Sequence, residues 1–183
     1  MRIGYLNCLV MNLRKGYNDI DILGSLYVEH IQRMVERLQD KIVVFDFDGT
    51  LTDFKYAENR LLPCRDDEIF EYSKTNNIYQ NVRVLKTMQV IISQLNKENV
   101  FILTRTEETL VGKKNKVILE NFPIFMDNVY HVSRAEDKLQ VLNELHRRFS
   151  QDIIFVEDTF KTILNAEETM PFIRGIHISS FII

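Results

Sequence analysis

The amino-acid sequence predicts an α/β fold in which a parallel sheet lies between two layers of helices, and three observations carry that expectation. From Lys41 onward, short apolar runs alternate with segments whose apolar residues recur every three to four positions. The runs Ile42–Phe45, Val100–Leu103 and Ile153–Val156 are apolar at every position, as strands buried on both faces are. Each of these runs stops at a polar residue: Asp46, Thr104 or Glu157. Such alternation closes as a Rossmann-like three-layer sandwich with a central parallel sheet, whose ligands bind beyond the carboxyl ends of the strands.

The elements follow in chain order. Val28, Ile31, Val35 and Leu38, with Glu29, Arg33, Glu36 and Arg37 between them, predict an amphipathic helix from Ile22 to Gln39. Residues 1–40 thus form an N-terminal helical extension, packed on the main domain or offered to a partner. Ile42–Phe45 is the first strand. Leu85, Met88, Ile92 and Leu95 share one stripe of a helix from Gln80 to Asn96. Val100–Leu103 is the second strand, and Thr104 with Glu107 forms a capping box that should open a helix. Val129–Val132 is the third strand. Ser133 and Glu136 form a second capping box before a helix with Leu139, Leu142, Leu145 and Phe149 on one face. Ile153–Val156, a helix from Thr159 to Glu168 and a strand from Ile173 to Ile178 complete the chain.

At about 150 residues per domain, 183 residues predict one domain, long enough to bury a core without staples. Two cysteines, Cys8 and Cys64, with no Cys-x-x-Cys pair, exclude a disulfide scaffold and a zinc ribbon and suit a reducing compartment. A net charge of −3 gives no general attraction to nucleic acid or to an anionic membrane. No run approaches the length of roughly 18 apolar residues that a membrane span requires. Met1 to Leu13 imitates a signal peptide, but Asn7 and Asn12 interrupt its apolar stretch and no small-residue cleavage site follows. A cytoplasmic protein without a membrane partner is expected.

The chemistry is concentrated where the strands end. In Asp46-Phe47-Asp48-Gly49-Thr50-Leu51-Thr52, two carboxylates two apart on extended backbone can point at one pocket. Gly49 then allows a sharp turn and brings backbone N–H groups close to a ligand. Such a pair suits a metal site, a phosphate-transfer site or a solvated turn. An EF-hand is ruled out, because its further ligand positions are missing and Leu51 is apolar. Thr104 offers a hydroxyl and an N–H at an expected helix N-terminus, which is either an anion site or a plain cap. Glu157 and Asp158 are hard oxygen donors suited to Mg2+, and side by side they would repel each other without a cation. Lys138 near a helix N-terminus opposes the helix dipole at a cost of about 0.3–1 kcal/mol, which makes sense if it neutralises an anionic ligand. Lys113, Lys114, Lys116, Arg147 and Arg148 read as solvated helix faces.

Together, IVVFDFDGTLTD at 42–53, VFILTR at 100–105, Lys138 and IIFVED at 153–158 resemble the haloacid dehalogenase-like phosphohydrolase superfamily. The likeness runs from about Lys41 to Ser179. It implies a catalytic domain over 41–183 with a small insert at about 54–79, too short for a full cap domain. It implies that Asp46 is the nucleophile and Asp48 the acid and base. Thr104 and Lys138 would hold the phosphoryl oxygens, with Arg105 and Gly49 as further substrate-binding positions. Mg2+ would sit on Asp46, the backbone carbonyl of Asp48 and Asp158, with Glu157 acting through water. Many relatives carry another acid four positions after the metal aspartate, where this chain has Thr162. An aspartate at position 48 points to a phosphatase rather than to a dehalogenase or a P-type ATPase. Receiver domains have their acidic pair before the phosphoacceptor strand and do not fit this order.

The implied substrate is a phosphomonoester of unknown size, and the oligomeric state is not legible. Asp66, Asp67, Glu68 and Glu71 in the insert argue against a polyanion, so a polynucleotide 3′-phosphatase gains no support from charge. The rival from another class is a non-catalytic binding or assembly module that uses the N-terminal helix. That rival expects the loss of a central residue, yet Asp46, Asp48, Thr104, Lys138 and Asp158 are all present.

Overall fold

The computed structural model describes residues 21–53, 71–80 and 82–181. In order they form α1 (Asp21–Leu38), β1 (Ile42–Phe45), α2 (Lys86–Gln94), β2 (Val100–Arg105), α3 (Val111–Asn121) and β3 (Val129–Val132). Then come α4 (Lys138–Phe149), β4 (Ile153–Glu157), α5 (Phe160–Thr169), β5 (Ile173–His177) and a last turn over Ile178–Phe181. All strand pairs are parallel, in the order β3-β2-β1-β4-β5. This is the expected Rossmann-like α/β sandwich. The chain builds outward from β1 to β3 on one side, then returns to build β4 and β5 on the other. A crevice therefore opens at the carboxyl end of β1, where the direction of winding reverses.

Successive strand residues face opposite layers. Val43 and Phe45 join a core with Leu38 of α1, Met88 and Ile92 of α2 and Ile118 of α3. Ile42 and Val44 join the opposite core with Leu142 and Leu145 of α4 and Ala166 of α5. Both faces of β1 are thus covered, which is why all four of its residues are buried. Only the interior strands keep this rule. The edge strands β3 and β5 carry Tyr130, His131 and Arg174 at partly or fully exposed positions. The α1 helix packs on the flank of the domain through Ile31, Met34, Val35 and Leu38. The Tyr27 hydroxyl meets Thr87 of α2, and His30 Nε2 lies 2.9 Å from the carbonyl of Ser180.

Several local expectations need correction. The α2 helix starts at Lys86 rather than Gln80, because residues just before it pair with the segment after β1. Thr52 bridges Val84, Asp53 N–H donates to the Arg83 carbonyl at 2.8 Å, and Leu85 N–H donates to the Leu51 carbonyl at 2.9 Å. Neither capping box forms. Thr104 lies inside β2, and the residues at the N-caps before α4, Arg134 and Asp137, make no side-chain cap. The fifth strand ends at His177, one residue short of the expected Ile178. Residues 1–20, with Cys8, and 54–70 of the expected insert, with Cys64, Asp66, Asp67 and Glu68, lie outside the described residues. Among the described residues no helix is long and apolar enough to cross a membrane.

Candidate active site

The end of β1 sets the geometry. Asp46 N–H still donates to the Val156 carbonyl of β4 at 2.8 Å, so the first residue past the strand is held by the sheet. The chain then turns: the Phe47 carbonyl accepts the N–H groups of Thr50, Leu51 and Thr52 at 3.3, 2.9 and 3.2 Å. Gly49 adopts φ 79°, a left-handed conformation that glycine reaches without steric cost. The described residues leave a cleft of about 270 Å³ at this end of the sheet. Asp46 and Asp48 line it with Thr104 and Arg105 from β2, Lys138 from α4, and Glu157 and Asp158 from the end of β4. Seven of the eight site residues expected from the sequence thus meet in one place. Gly49 shapes the turn without lining the cleft. Thr162 also lines it.

Two buried lysines organise the acids. Lys138, the first residue of α4, is 7% exposed and donates to Asp46 Oδ1 at 2.7 Å and Glu157 Oε2 at 2.8 Å. Lys114 of α3 is fully buried and donates to Asp48 Oδ2 at 2.6 Å, Thr104 Oγ1 at 2.9 Å and the Arg105 carbonyl at 2.8 Å. Tyr79 donates its hydroxyl to the other Asp48 oxygen at 3.3 Å. Its phenol is pushed far up by burial and by the Asp48 carboxylate, so it remains a donor.

The acids outnumber the cation nearest them. Burial pushes the Asp46 carboxyl up to about 7, against the pull of Lys138 and with the added push of Glu157 and Asp48. Burial also raises Glu157 and Asp158, and Lys138 counters both. At Lys138 burial opposes the charge, but Asp46 and Glu157 outweigh it and hold the ammonium above the ordinary lysine range. Ligand oxygens of Asp46, Glu157 and Asp158 lie within 4.8 Å of one another. Three hard oxygen donors beside one ammonium, which touches only Asp46 and Glu157, form a donor set that fits a small divalent cation such as Mg2+.

Two residues of this cluster escaped the sequence expectations. Lys114 is not on a solvated face, although its neighbours Lys113 and Lys116 are exposed. It stands four residues from both Leu110 and Ile118, and all three are buried. That spacing was the available signal, since i±4 residues share a helix face. Tyr79 stands at the end of the 54–79 insert, where no motif marks it. Thr104 does line the cleft, but as a strand residue bonded to Lys114 rather than as a helix cap.

Beyond Thr104, Thr106 Oγ1 lies 2.9 Å from His131 Nδ1, and Asn115 Oδ1 lies 2.7 Å from His131 Nε2. Burial and the nearby Lys114 lower His131 to about 4, only partly offset by Asp48. A histidine depressed in the native state binds fewer protons than in the unfolded chain, so it costs stability as pH falls from about 6.5 towards 4. Thermal midpoints of the wild type and His131→Asn at pH 7 and pH 5 test this. The wild type should lose its margin over the variant at pH 5, whereas a margin that grows on acidification would contradict a neutral, half-buried His131.

The sequence matches no protein-family model and no curated protein. Fold and site therefore define the class: a parallel α/β domain with an acidic, lysine-braced cleft at its switch point.

Proposed function

We propose that the protein is a Mg2+-dependent phosphomonoester hydrolase of the haloacid dehalogenase-like superfamily, acting through an aspartyl-phosphate on Asp46. One observation carries the proposal. The Asp46 carboxylate sits at the carboxyl end of the central strand, bonded to a buried ammonium and beside two further acids, with Asp48 on the same cleft. The resemblance of 42–53, 100–105, Lys138 and 153–158 to that superfamily supports the same assignment.

A carboxylate oxygen of Asp46 attacks phosphorus, and the bond to the leaving oxygen breaks. Asp48, protonated at the start of the cycle, gives that oxygen its proton, and the carboxylate so formed takes one from the water that hydrolyses the acyl phosphate, which restores the acid. Lys138 and the Thr104 hydroxyl neutralise the phosphoryl oxygens as charge spreads over them. Asp46, the Asp48 carbonyl and Asp158 would hold Mg2+, and the contact of Glu157 with Lys138 suits a role for Glu157 through water. The ion, when bound, offsets the repulsion between an anionic nucleophile and an anionic phosphate. The substrate is a phosphorylated molecule of unknown size, and the setting proposed is the cytoplasm.

Hydrolysis of p-nitrophenyl phosphate with and without Mg2+ tests the proposal. EDTA should abolish turnover and Mg2+ restore it, while full activity after chelation and dialysis would contradict a metal role. In calorimetry, Asp158→Asn should weaken Mg2+ binding more than Glu157→Gln, and the reverse ranking would exchange their roles. A screen of phosphorylated metabolites, phosphopeptides and 3′-phosphorylated oligonucleotides then separates the substrate classes.

A further inference from the structure

We infer that Lys114 is a positioning residue that aims Asp48 and Thr104 at the reacting phosphate, an inference that rests on the phosphatase proposal. A lysine is almost never fully buried unless its charge is paired and its three N–H donors are used. Lys114 is 0% exposed, and its donors go to Asp48 Oδ2, Thr104 Oγ1 and the Arg105 carbonyl. Two of these partners are the side chains assigned to proton transfer and to holding the phosphoryl group. Lys114 thus ties the turn after β1 to the end of β2 from the α3 layer, while Lys138 reaches in from the α4 layer.

The rings of Phe47 and Tyr79 flank the ammonium, with centroids 5.6 and 5.4 Å away, and favour a cation there. With Tyr79 on one Asp48 oxygen and Lys114 on the other, the carboxylate is held from two sides. A buried ion pair is a poor way to gain stability, since apolar residues of similar volume often serve as well or better. Its value here is orientation. Asp48 must meet the leaving oxygen and then a water at one fixed place, and displacement of a reacting group by about 1 Å can cost 10²-fold in rate.

The experiment compares wild type and Lys114→Met in the presence of Mg2+, using p-nitrophenyl phosphate and the alkyl ester β-glycerophosphate. It adds a 19F spectrum of each protein with beryllium fluoride, a mimic of the phosphoryl group on an aspartate. Lys114→Met should still form the fluoride complex, which Asp46 and Lys138 hold, and should lose about 10²-fold in kcat on the alkyl ester, where proton donation matters most. The nitrophenol burst should fall much less, because nitrophenolate leaves without a proton. Wild-type kcat on the alkyl ester, or a nitrophenol burst reduced as much as that kcat together with loss of the fluoride complex, overturns the positioning role. If Lys114→Met does not fold, Lys114→Gln is read by the same split between esters. A wild type that neither turns over either ester nor binds beryllium fluoride would instead sink the phosphatase proposal itself.

Discussion

Asp46→Asn should reduce turnover to background with every phosphomonoester, because the amide cannot attack phosphorus and no covalent intermediate can form. Asp48→Asn should behave differently. It keeps the nucleophile and removes the group that protonates the leaving oxygen, a loss of about 10²–10⁴-fold on an alkyl ester. With p-nitrophenyl phosphate the first step needs no acid, so one equivalent of nitrophenol should appear in a burst. Hydrolysis of the aspartyl-phosphate then lacks its base, and slow turnover follows. Rapid-quench kinetics reads both phases. If Asp46→Asn keeps turnover and Asp48→Asn shows no burst, the two roles must be exchanged.

Lys138→Met should give the largest loss of stability of any single change at the site. It leaves Asp46 and Glu157, 7% and 3% exposed, without the ammonium that touches both. Removing one partner of a buried ion pair typically costs about 3–5 kcal/mol, since the remaining charge is uncompensated. The sign of the pH effect is fixed by the acids. Lys138 pulls both carboxyls down, so without it they take up protons at a higher pH than in wild type and lose the uncompensated charge as pH falls. Urea midpoints of the variant should therefore recover between pH 8 and pH 5.5 relative to wild type. A variant as stable as wild type at pH 8, or one that falls further behind at pH 5.5, would show that Lys138 does not compensate these carboxylates.

The three interior strands were legible because burial on both faces leaves an unbroken apolar run, as in Ile42–Phe45. The convergence of Asp46, Asp48, Thr104, Lys138, Glu157 and Asp158 was legible for a related reason, since parallel strands deliver their carboxyl ends to one edge. Local boundaries were less so. Thr104 with Glu107 matches a capping box in spacing alone. In the protein, pairing of Thr104 with His131 and Arg105 with Val132 carries β2 past the expected stop. The extended stretch before α2 exists because Val84 finds Thr52 across the chain, a non-local contact that helical periodicity cannot register. Lys114 was hidden by composition. Among three lysines in four residues, only its spacing from Leu110 and Ile118 separates it from its solvated neighbours.

The most direct test of the central claim is chemical identification of the phosphorylated residue. Asp48→Asn, which should accumulate the intermediate, is mixed with p-nitrophenyl phosphate and Mg2+, quenched in acid and reduced with borohydride, which converts an aspartyl-phosphate to homoserine. The peptides are then sequenced by mass spectrometry. Homoserine at position 46, absent from a sample treated with EDTA before mixing, is the expected result. An unmodified Asp46 in a sample that has released a burst of nitrophenol, or homoserine at another aspartate, would contradict Asp46 as the nucleophile.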